Sequence, residues 1–148
     1  MSFSFSDDVK IMPAASYAAG TADITDNQII DTAGYDSVCF VVHNATIAAG
    51  AVTSIKISSG AASDLSDGAD LLGTSVSIAA DDDDELKYID LHQNHERYVR
   101  LIMDKDAANS YAGSAVAYLY NGRAKRPITQ LAGTTEGERH VAPGEGTA

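Results

Sequence analysis

Short runs of β-branched and aromatic residues, separated by Gly, Asp, Asn and Ser, recur along this chain where a helical protein would carry long apolar stripes. Residues 37–44 form the strongest run, with Val38, Phe40 and Val42 on one face and Cys39 and Val41 on the other. Being apolar on both faces, it predicts a central strand covered from both sides. Residues 52–58 alternate more simply, Ile55 and Ile57 inward, Ser54, Lys56 and Ser58 outward. Residues 73–79 set Val76 and Ile78 on one face between serines. Strands follow at 86–91 and at 96–103, where Val99, Leu101 and Met103 oppose Tyr98, Arg100 and Ile102. At 115–120, Val116, Tyr118 and Tyr120 stand against Ala115, Ala117 and Leu119. With shorter runs at 9–11 and 24–30 the chain has about eight strands, spaced as in an antiparallel β-sandwich or jelly roll.

Helix signals are sparse. No stretch keeps a 3.6-residue apolar period for three turns, and the alanine-rich pieces are broken by glycine. One short helical turn is expected at 64–72, where Ser63 and Asp64 could cap it. At 148 residues the chain has the size of one domain and needs no covalent staple. The single cysteine, Cys39, forms no internal disulfide and reads as a small buried hydrophobe. After Pro127 the composition turns to Gly, Thr, Glu and Pro, too poor in aliphatics to fold alone. The expected division is an N-terminal arm at 1–20, a jelly-roll body at 21–127, and an extended or flexible tail at 128–148.

The formal charge of −11 argues against nucleic acid and against anionic lipid surfaces. It is unevenly spread: residues 1–120 hold 18 acids against 6 bases, whereas Arg123, Lys125 and Arg126 cluster just beyond. No basic segment precedes an apolar stretch as in a secretory signal, and no apolar run is long enough to cross a bilayer, so synthesis in a cytosol is expected.

Catalytic patterns are weak. The run Asp81, Asp82, Asp83, Asp84 and Glu85 could attract a hard cation, but successive residues point to alternate sides and do not converge. The segment 64–70 lacks the alternating acids and distant glutamate of a calcium loop. His92 and His95 fall between strands without companions to complete a metal set. There is no Gly-x-Ser-x-Gly elbow and no Trp to form a sugar platform, while Glu85 and Glu96 offer only the carboxylates any acidic chain offers. No catalytic residue, metal or cofactor is expected.

Four phrases in order carry a resemblance: Asp31 with Gly34, Tyr35 and Ser37 leading into 38–42; the step Leu71, Leu72, Gly73; Arg97 to Leu101; and a late strand from Ala115 that runs out through Arg123 to Pro127. Over residues 30–127 this pattern resembles small virion proteins of tailed bacteriophages. The resemblance implies a capsid decoration (cement) protein of jelly-roll type, made in the host cytoplasm and carried on the outer capsid surface. It implies a partner, the major capsid protein, and a homo-oligomer, a trimer ahead of a dimer. Attachment through a chain terminus is expected, with Phe3 and Phe5 at one end and Arg123, Lys125 and Arg126 at the other as partner-binding residues. An adhesion or carbohydrate-binding module, a head–tail connector or tail-completion protein, and a hydrolase are the alternatives.

Overall fold

The structure is a computed structural model that describes residues 4–17, 27–48, 53–93, 96–105, 111–123, 127–131 and 133–139. One helical turn, α1 (Phe5–Asp8), opens it and leads into β1 (Lys10–Tyr17). There follow β2 (Ile30–Asp31), β3 (Tyr35–Ile47), β4 (Thr53–Gly60), β5 (Ala69–Asp70), β6 (Val76–Ile78), β7 (Leu86–His92), β8 (Tyr98–Lys105) and β9 (Tyr111–Gly122). Every pairing is antiparallel. One sheet runs β1-β9-β3-β7; the other runs β2-β8-β4, with β5 and β6 sharing the far side of β4. This is the all-β antiparallel sandwich that the alternation predicts.

The core is the set of inward faces. Val38, Phe40 and Val42 of β3 are opposite Leu119, Ala117 and Ala115 of β9. From the second sheet they meet Ile55 and Ile57 of β4 and Val99, Leu101 and Met103 of β8, all fully buried. On β9, Ala115, Ala117 and Leu119 turn inward, the two alanines leaving room for Phe40, and Val116, Tyr118 and Tyr120 turn outward. The strand β3 is central within its sheet, but it is covered on one side only: Cys39 and Val41 remain half-exposed. Both expectations of full cover, for the strand and for Cys39, are thereby corrected.

Two further differences concern local structure. At 64–72 there is no helix; the Asp67 carboxylate accepts the N–H groups of Ala61 and Ala62 at 3.0 Å, and Asp64 accepts that of Ser66 at 3.0 Å. Leu65 holds a φ of 54°, and such side-chain-to-backbone bonding outcompetes a helical turn here. Gly60 lets this loop close, since a β-carbon there would lie 2.5 Å from Asp67 Oδ1. The second difference is at the N-terminus. Residues 10–17, assigned by the sequence to an arm, pair with β9 and bury Met12 and Ala14. Along the outer edge of β1 lies part of the segment after Pro127. Gln130 donates to the carbonyls of Ser6 and Val9 and accepts from Ile11 N–H at 2.9 Å. The Thr135 hydroxyl donates to Ile11 C=O at 3.0 Å, and Arg139 pairs with Asp7.

Candidate functional site

Residues opposite one another in register share a face of a sheet, so the outward surface of the four-stranded sheet can be read row by row. One row is Ile11, Tyr118, Cys39 and Asp90; the next is Pro13, Val116, Val41 and Tyr88. Ser114, His43 and Leu86 flank them on one side, and Tyr120, Ser37 and His92 on the other. Within these four rows the only carboxylate or fixed cation is Asp90, and it accepts the Tyr120 hydroxyl at 2.6 Å. Phe5 is brought onto this surface by α1, its ring edge-on to Tyr118 with centroids 5.6 Å apart. Phe5, Leu86 and Tyr88 are 50%, 62% and 68% exposed. Apart from α1, no described helix or strand packs over this face.

At one end of the sheet a polar cleft of about 570 Å³ is lined by Thr32, Ala33, Gly34, Tyr35, Asp36, Gln93, Arg97 and Arg123. Gly34, with φ of 88°, makes the turn between β2 and β3 possible. Arg97 grips Asp31 through two bonds of 2.8 Å, and Arg123 reaches Asp36 at 2.8 Å. The Arg97 guanidinium holds the Asp31 carboxyl below its usual value, outweighing the opposing effect of its partial burial. The cleft thus joins three stretches far apart in sequence: the Asp31 to Ser37 turn, Arg97, and the exit of β9.

Beside the cleft, Ser37 Oγ lies 3.1 Å from His92 Nδ1, and Asn121 donates to the same hydroxyl at 3.3 Å. A serine–histidine contact invites comparison with a nucleophile and its base, but Ser37 is fully buried and Asp90 serves Tyr120 instead of His92. Burial and the bond to Asp90 push the Tyr120 phenol up to about 12. Burial, with Asp90 nearby, also raises the Cys39 thiol, which disfavours the thiolate.

The acidic loops bind themselves. Asp83 accepts Ile47 N–H at 2.7 Å, Asp82 accepts Ala79 N–H at 2.8 Å, and Lys87 bridges Asp82 and Glu85. Lys56 likewise bridges Asp70 and Asp104. Among the described residues no three His, Cys, Asp or Glu side chains gather as a metal set. Of the partner-binding residues expected from sequence, Phe5 joins the apolar face and Arg123 the cleft, at separate places; Phe3, Lys125 and Arg126 lie outside the described residues. In comparison with known proteins, no family model and no curated protein matches this chain. Sequence reasoning did not find the apolar face, because alternation alone does not say which side of a strand turns inward. The available signal was size: Ala115 and Ala117 fit opposite the bulk of Phe40, and that leaves the tyrosines outside.

Proposed function

We propose that this chain is a virion structural protein that decorates and stabilises a bacteriophage capsid by binding the major capsid protein lattice as an oligomer. The observation that carries the reading is the apolar outer face of the four-stranded sheet, almost free of charge in a chain of net charge −11. An acidic body keeps copies apart in solution, whereas an uncovered apolar face with several tyrosines is the composition of a protein interface. The resemblance over residues 30–127 supplies the capsid as partner and three copies as the order of assembly. Phe5, a terminal residue seated on that face, links the terminus expected from sequence to the surface.

The test is to mix purified protein with undecorated heads and to measure co-sedimentation and density by electron microscopy. Decoration is expected, weakened about tenfold or more by Phe5→Lys or Tyr118→Lys, as loss of an aromatic anchor at an interface centre entails. Heads that stay bare at saturating protein would refute the reading. The neighbouring Tyr120 and His92 rings, stacked with centroids 6.5 Å apart, favour a second reading as a carbohydrate-binding module. Chemical-shift changes of these rings on titration with oligosaccharides would support it.

A further inference from the structure

The two edges of the four-stranded sheet are treated differently. At β1 the edge is closed from Ile11 to Ala14: Ile11 N–H and C=O are taken by Gln130 and Thr135, Pro13 has no N–H, and Ala14 C=O accepts Gln28 N–H at 3.1 Å. At β7 the direction of the backbone follows from the ends of its ladder. Asn44 N–H donates to Glu85 C=O at 2.9 Å, and Gln93 N–H donates to Asp36 C=O at 3.0 Å. Alternate residues of a strand turn to the same neighbour, so Lys87, Ile89 and Leu91 face β3. Leu86, Tyr88, Asp90 and His92 then aim their N–H and C=O groups away from the sheet. No other strand of the described residues pairs with that edge, and no described turn or loop bond reaches it.

We infer that β7 is the contact between two copies of this chain, paired antiparallel across a two-fold axis so that the four-stranded sheets continue into one another. An open strand edge is a template for another strand, and across a two-fold axis it meets its own donors and acceptors in reverse order. Other edges do not suit a second copy: β1 is closed, and β2, β5 and β6 are only two, two and three residues long. Centring the pair on Ile89 sets Tyr88 opposite the other copy's Asp90 and Leu86 opposite its His92, with no carboxylate against a carboxylate. The exposed Leu86 and Tyr88 side chains lie beside that edge and are covered together with it. This goes beyond the decoration reading and needs no capsid; it favours two-fold pairing over the threefold order that the resemblance implies.

Sedimentation from low to high micromolar concentration, with amide exchange followed by NMR, tests it on the full chain. The expected mass is twice that of the 15.5 kDa chain. The amides of Leu86, Tyr88 and Asp90 should slow about tenfold or more on association, while those of Lys87, Ile89 and Leu91 are protected throughout. Tyr88→Pro removes an outward N–H and should give a folded monomer; should proline disturb β7, Tyr88→Asp, which sets a carboxylate against the other copy's Asp90, must give the monomer instead. A persistent monomer, a trimer, or a dimer whose Leu86, Tyr88 and Asp90 amides exchange as fast as in dilute solution would overturn the inference. Binding to heads is scored separately, so loss of one result leaves the other standing.

Discussion

Phe40 and Ala117 face each other across β3 and β9, both wholly buried, the largest core side chain against one of the smallest. Phe40→Ala is expected to cost about 3–5 kcal/mol through lost burial and the cavity left behind, read by denaturant unfolding. Ala117→Leu should cost about 1–3 kcal/mol for the opposite reason, since the space is already filled. The Asp31–Arg97 pair makes a pH prediction. Its carboxyl titrates lower in the folded protein than the ordinary 3.8, so its contribution is present above that value and is lost as pH falls through the folded one. Asp31→Asn should therefore flatten the acid side of the stability profile, modestly because the pair is exposed. Tyr120 acts with the opposite sign. Its folded pKa of about 12 means that stability falls as pH rises from the ordinary 10 toward that value, and Tyr120→Phe should remove this alkaline slope.

At the scale of elements, the decisive contact is Gln130, whose single amide serves two carbonyls and one N–H of the N-terminal segment. Gln130→Ala leaves these groups without their partner and should cost about 1–3 kcal/mol, with faster exchange of the Ile11 amide as the local signature. Such a contact was not legible in sequence, because it joins residues 119 to 124 positions apart by side-chain bonds that carry no periodicity. What was legible rests on period two: Ile55 and Ile57, or Val99, Leu101 and Met103, are buried as their alternation says. The boundaries of β3, β7 and β8 fall within a few residues of expectation for the same reason. The strand β6 falls inside the expected run 73–79, with Ile78 buried, whereas two-residue β2 depends on distant β8 and 64–72 on carboxylates bonding to the nearby backbone, so periodicity places these poorly. For the site, the phrases around Asp31, Arg97 and Arg123 were visible separately, while their meeting in one cleft is a property of strand order.

For the molecule as a whole, charge and surface work against each other. A chain of net charge −11 resists association, so contacts between copies should strengthen as salt screens the repulsion, with the sedimentation midpoint moving to lower protein concentration. Sensitivity in the other direction, weakening with salt, would point to charge pairs as the contact instead of the apolar face and β7. The position of β9 between β1 and β3 has a further consequence, for synthesis. The first of the described strands is partnered by the last of them, so a ribosome that has released β1 through β8 holds a chain whose four-stranded sheet is still split in two. Until residues 111–122 emerge, β1 has no neighbour and β3 has one bare side, both rich in apolar residues that invite premature contacts. Ribosome-bound chains stalled at residue 105 should stay open to protease throughout the body, and those carrying the whole of β9 beyond the exit tunnel should become resistant in one step. Completion of the four-stranded sheet in each copy therefore waits on β9.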